Sequence, residues 1–184
     1  MTVPIAVFDC MVYLQAAARQ DGPARACLAL AQQGRVTICI SPAIRAEVQD
    51  VLSRPKVRLK FPSLTPESTA QFLHDIDGLT TTLAEVPGVV SFPRDPKDEP
   101  YLNLAVAAGA TRLVTWDNDL LDLMADNPEG RAFRTRFPQL VILRLSHSYE
   151  SILLFLRHRS TAVRRKNEKK GRRGRAGCRP TRRW

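Results

Sequence analysis

The chain has 184 residues, of which 44% are hydrophobic and 25% charged, with a formal net charge of +10. This suffices for one ordinary domain with a packed core and a short appendage. No run approaches the ~20 apolar residues of a membrane span, and the four cysteines contain no C-x-x-C pair, so a membrane protein, a zinc ribbon and a disulfide scaffold are all disfavoured.

In chain order, Val3 to Phe8 is a short β-branched apolar run closed by Asp9, the pattern of a buried strand. The run has no basic segment before it and is broken by an acid, which is not the layout of a signal peptide. Gly22-Pro23 opens a helix with Ala26, Cys27, Leu30 and Ala31 on one side, ending at Gly34. Val36 to Ile40 is a second strand. Ser41-Pro42 supplies an N-cap and a proline at the first helical position for a helix to about Leu52, which Arg54-Pro55 ends. Thr65-Pro66 repeats that signal, and Phe72, Leu73, Ile76 and Leu79 follow at helical spacing.

A strand is predicted within Val86 to Phe92. Asp98 heads a helix through Leu102, Ala105 and Val106 that Gly109 stops. Leu113 to Thr115 forms a strand, Leu120 to Met124 a short helix, Val141 to Leu145 the last strand, and Tyr149 to Leu156 the last helix. Strands alternating with helices imply a three-layer α/β/α sandwich around a mainly parallel sheet. The domain is predicted over residues 1–158.

Residues 159–184 have too little apolar content to offset ordering entropy and are predicted to be a disordered basic tail. From Arg157 to Trp184 there are 13 Lys/Arg and one acid, Glu168, which leaves 15 basic and 17 acidic residues in the body. The charge of the chain is therefore that of a faintly acidic globule with a basic arm, and such arms most often contact nucleic acid electrostatically. His74, His147 and His158 show no ligand spacing.

Four acids stand where regular elements begin or end: Asp9 after the first strand, Glu47 one turn into the Ser41-Pro42 helix, Asp98 at a helix start, and Asp117 after the strand ending at Thr115. Each has an ordinary explanation taken singly. Asp98 suits an N-cap, Glu47 a helix surface, and Asp117 and Asp119 a turn around Asn118. Asp9 is harder to explain so, because a carboxylate directly after a buried strand is costly without a partner or a cation. Ligands of open α/β sheets lie outside the carboxyl ends of the strands, and carboxylates gathered there suit a hard cation such as Mg²⁺ or Mn²⁺.

Phe8-Asp9, Ser41-Pro42 through Glu47, Arg94-Asp95-Pro96-Lys97-Asp98 with Leu102 and Ala105, and Leu113-Val114-Thr115-Trp116-Asp117-Asn118-Asp119-Leu120-Leu121 resemble, in order and spacing, the signature of PIN-domain ribonucleases. The likeness covers roughly residues 3 to 156 and is strongest to the branch described as toxins of bacterial toxin–antitoxin systems. It implies an α/β/α sandwich and a Mg²⁺- or Mn²⁺-dependent RNA-cutting site. Asp9, Glu47, Asp98 and Asp117 would be its metal-binding acids, Thr115 an assisting residue, and Asp119 a further nearby acid. With no signal-peptide layout, no membrane span and no cysteine framework, the protein is expected to be cytoplasmic. The resemblance further implies action on RNA and restraint by an antitoxin, with a homodimer left open. Family members follow the first Asp with a hydroxyl residue and then Asn, whereas this chain has Cys10-Met11. Met11 offers no polar side chain, and this departure favours one alternative, an RNA- or protein-binding module with little nuclease activity. A further alternative is an RNA-processing nuclease without a toxin role.

Overall fold

The computed structural model describes residues 3–145. Within them a five-stranded sheet runs in the order β3-β2-β1-β4-β5, and every pairing is parallel. The strands are β1 Ile5–Phe8, β2 Thr37–Ile40, β3 Thr80–Thr82, β4 Arg112–Thr115 and β5 Val141–Arg144. The helices are α1 Cys10–Ala18, α2 Pro23–Gln32, α3 Pro42–Ser53, α4 Pro55–Lys60, α5 Pro66–Leu79, α6 Glu99–Ala107, α7 Asn118–Asp122 and α8 Pro128–Arg136. A single 3-10 turn, Pro96–Asp98, leads into α6. From β1 the chain winds outward through β2 to β3, then crosses back to β4 beside β1 and winds the other way. Right-handed crossovers in opposite directions place helices on both faces, which is the expected sandwich.

The junction between β1 and β4 is the switch point, where such sheets bind ligands. Val7 pairs with Leu113 and Phe8 with Val114, and the Asp9 N–H donates to the Val114 carbonyl at 3.0 Å. The register thus brings Asp9 and the segment after Thr115 to the same edge. Beneath it the core is continuous, with Phe8, Ile38, Ile40, Leu102, Leu104 and Leu113 almost fully buried. The helix starts at Ser41 and Thr65 hold as expected, each hydroxyl accepting from the N–H three residues on, at 3.3 and 3.1 Å. The stops at Gly34 and Gly109 hold as well, at φ of +67° and +60°, a conformation that costs glycine little.

The strand expected within Val86 to Phe92 is absent, and the third strand is Thr80–Thr82 at the sheet edge. Its place is taken by a segment whose backbone is bonded to side chains. Asn103 Oδ1 accepts from the N–H groups of Val89 and Val90, both at 2.7 Å, and Asn103 Nδ2 donates to the Val90 carbonyl. Glu99 Oε1 accepts from the Phe92 N–H at 2.6 Å. With their donors already met by α6, these residues have no need of a ladder. Three helices are additional to the sequence reading: α1, α4 and α8. Pro55, read as a terminator, also opens α4. The helix expected over Tyr149 to Leu156 and the boundary at 158 lie outside the described residues.

Candidate active site

Asp9 is only 5% exposed, yet both of its carboxylate oxygens are engaged. Oδ1 accepts from the Val12 N–H at 2.8 Å and so caps α1. Oδ2 accepts from the Trp116 N–H at 2.9 Å and from the Thr115 hydroxyl. Thr115, fully buried at the end of β4, accepts in turn from the Asp117 N–H at 2.8 Å. Asp117 then caps α7, its Oδ1 accepting from the Asp119 N–H at 2.7 Å. The ends of the two central strands are therefore tied into one chain of bonds through Asp9 and Thr115. Burial raises the Asp9 pKa above the usual carboxylate range, although these hydrogen bonds pull the other way.

Asp98 is buried without such support. It is 9% exposed and occupies the position before α6, but its side chain makes no capping bond. Its Oδ2 is buried and has no hydrogen-bond partner among the described residues. The N-cap explanation of this residue therefore fails. Burial first, and then the charges of Asp117, Asp95, Asp9 and Asp119, push its carboxyl up to about 7. Those causes also identify its surroundings, since carboxylates from three separate chain segments act on one side chain.

Glu47, half-buried on α3, accepts at Oε2 from the Tyr101 hydroxyl at 2.6 Å. The same hydroxyl accepts from the Cys10 N–H at 3.3 Å. Tyr101 is 2% exposed, and burial with its neighbours Cys10 and Glu47 raises its pKa, so the phenol keeps the proton it donates. One side chain on α6 thus links α3 to the start of α1. Burial, with Tyr101 pulling the other way and the Glu47 and Asp9 charges adding to the rise, lifts the Cys10 thiol to about 12 and leaves it inert as a nucleophile. Asp119 is turned toward Arg94, whose guanidinium lies 3.5 Å from it, 2.9 Å from Asp122 and 2.8 Å from Glu129. Arg94 thereby ties the segment before Asp98 to α7 and α8.

The sequence pattern alone assigns no role to Tyr101 or Arg94. A signal existed for Tyr101, which follows Asp98 by three residues at the start of a helix and so shares its face. Asp9, Thr115, Asp117 and Asp98 share the switch-point edge, with Glu47 on the flank held by Tyr101. Among the described residues, however, no three His, Cys, Asp or Glu side chains are grouped closely enough to hold a metal ion as they stand.

A family profile described as a PIN domain matches residues 6–119, more than half of the chain. The chain belongs to the PIN-domain family. No curated protein and no solved structure matches it. PIN domains are generally metal-dependent nucleases, and the matched span contains all six residues singled out from the sequence. The donor chemistry here fits a divalent cation: every candidate ligand is an oxygen, and one buried carboxylate oxygen lacks a partner. No helix among the described residues is long and apolar enough to cross a membrane.

Proposed function

We propose that this PIN domain is an endoribonuclease that hydrolyses RNA phosphodiester bonds with Mg²⁺ or Mn²⁺. The observation that carries the reading is the buried, unpartnered Oδ2 of Asp98 at the β1/β4 switch point, facing the charges of Asp9 and Asp117. A buried carboxylate without a partner is costly, and a cation is the partner that oxygen-only surroundings select. Asp9, Asp98 and Asp117 would hold the ion, with Glu47 completing the set from α3 and Asp119 farther out beside Arg94. When bound, the cation supplies a stabilising charge for the phosphate and lowers the pKa of water. The chain's own contributions are distinct. Thr115 and the Trp116 N–H hold Asp9 in one orientation, and Tyr101 holds Glu47. Asp98 Oδ2, buried and without a partner among the described residues, is the oxygen left free for the ion.

The test is cleavage of single-stranded RNA by purified protein with and without Mn²⁺ or Mg²⁺, beside Asp98→Asn. Metal-dependent cleavage that falls at least 100-fold in the variant supports the reading, and metal-independent cleavage or an undiminished variant overturns it. A toxin held in check by an antitoxin is the finer form of this proposal, and its support is the motif resemblance. Growth arrest on induction, relieved by a small protein encoded alongside, is the outcome it expects. One alternative has its own observations: a binding module with little turnover. Met11, where the family carries Asn, is 41% exposed beside Asp9, and no three acids among the described residues stand within reach of one ion. RNA binding without cleavage at any Mn²⁺ concentration would favour that module.

A further inference from the structure

Next to the acids lies a cavity of about 210 Å³ lined by Gln15, Arg19, Asp21, Gly22, Pro23 and Trp116, among others. It is smaller than the roughly 300–1,000 Å³ clefts that take drug-sized ligands. Its position is set by the site. Trp116 stands between Thr115 and Asp117, and its backbone N–H is bonded to Asp9 Oδ2. Gln15 and Arg19 lie on and just beyond the C-terminal half of α1, the helix that Asp9 caps.

The polar groups around the cavity are unspent. The indole Nε1–H of Trp116 is buried and has no acceptor among the described residues. Arg19 has no ion pair among them, and the side chains of Gln15 and Asp21 make no hydrogen bond within the described protein. Arg94, Arg45, Arg54 and Arg131, by contrast, all hold carboxylates. An indole, a guanidinium, an amide and a carboxylate around one small space form a mixed lining. The Asp21 charge disfavours a phosphate there. A flat ring can lie against the indole and the guanidinium while its donor- and acceptor-bearing edge meets the amide and the carboxylate.

We infer that this cavity is a subsite for one unpaired RNA base beside the scissile phosphate, with the base against Trp116 and Arg19 and its edge read by Gln15 and Asp21. Single-stranded RNA is recognised by this chemistry, stacking of splayed bases on aromatic rings and guanidinium planes with hydrogen bonds to their edges. The inference deepens the nuclease reading and rests on it for the identity of the strand. It adds that the substrate must be single-stranded at this point, because a base held in a duplex cannot enter.

The experiment uses the full chain with Trp184→Phe, so that Trp116 is the sole tryptophan. A short single-stranded oligonucleotide is titrated in chelator, which separates binding from cleavage. The expected result is quenching of Trp116 emission by single-stranded RNA and none by the same sequence as a duplex. Trp116→Leu should weaken binding by roughly 5- to 150-fold, the range for loss of one base stack, and Trp116→Phe by less. Arg19→Gln, at an exposed position where folding is not at stake, should weaken it several-fold and guards against a misfolded Trp116 variant. RNA binding with unchanged Trp116 emission and unchanged affinity in Arg19→Gln overturns the subsite, even if the protein cleaves RNA. Quenching without any cleavage keeps the subsite and sinks the nuclease. Absence of all RNA binding overturns both.

Discussion

Asp9 and Asp98 are both buried carboxylates at the same sheet edge, and both are pushed above the usual carboxylate range by burial. They differ in what surrounds them. Asp9 accepts three hydrogen bonds, caps a helix and joins the ends of β1 and β4. Asp98 leaves one buried oxygen unmatched and caps nothing. A residue with every oxygen engaged has structural work whether or not it has a chemical role. A residue that is buried, charged and unsatisfied weakens the fold, and a role outside folding is the physical reason for keeping it there. The fold therefore uses Asp9 twice and tolerates Asp98.

That contrast predicts opposite signs for one substitution. Asp9→Asn leaves at least one of the Val12, Trp116 or Thr115 donors facing an NH₂ group, and stability should fall by about 1–3 kcal/mol, the cost of an unmet buried donor. Asp98→Asn removes a buried charge set among like charges, and metal-free stability at pH 8 should hold or rise. Denaturant unfolding of the two variants beside the parent, in chelator, is the measurement. The comparison breaks if both variants lose stability equally.

The same contrast shows what could be seen in the sequence and what could not. Features carried by neighbouring residues were legible: the Ser41-Pro42 and Thr65-Pro66 starts, the Gly34 and Gly109 stops, and the apolar runs of β1, β2, β4 and β5. The segment from Val86 to Phe92 misled because its backbone partners, Asn103 and Glu99, sit on a helix that follows it. Thr80–Thr82 carries no apolar pattern and forms a strand only because β2 offers an edge. Helix α1 was hidden because Asp9 ends a strand and caps a helix at once, so the apolar run looked interrupted rather than turned. In α8 only Gly130 and Phe133 are buried, too little for a visible face. The acids were legible as positions. Which of them was satisfied was not, because Thr115 and Tyr101 reach Asp9 and Glu47 across 106 and 54 residues.

Asp98 also predicts a pH dependence, with a sign opposite to that of a salt-bridged acid. Its folded pKa, about 7, lies above the roughly 3.9 of an unfolded aspartate. Between those values the folded state holds more protons than the unfolded one, so stability falls as pH rises through the window. The raised Asp9 carboxyl acts in the same direction. In chelator the Tm should be several degrees higher at pH 5 than at pH 8, and Asp98→Asn should flatten much of that slope. Excess Mn²⁺ should also flatten it in the parent, by binding the deprotonated folded state. A Tm that climbs steadily from pH 5 to pH 8 would be the wrong sign for this arrangement.

The smallest effect concerns Glu47, which lies between the two cases. It is half-buried and has one well-placed donor, the Tyr101 hydroxyl, which also accepts from Cys10 at the start of α1. Tyr101→Phe deletes that oxygen and keeps the ring, so the packing around α6 survives. The Cys10 N–H loses its acceptor and Glu47 its donor, for a stability cost of about 1 kcal/mol. If Tyr101 only braces the fold, that cost is the whole effect. If it also aims Glu47 toward the other acids, the freed carboxylate swings among rotamers, and ordering it becomes part of the cost of binding a cation. Calorimetric titration with Mn²⁺ should then show several-fold weaker binding in Tyr101→Phe, while RNA cleavage at saturating Mn²⁺ stays within a few-fold of the parent. Unchanged Mn²⁺ affinity alongside the stability loss would make Glu47 a partner of Tyr101 alone and remove it from the proposed ligand set.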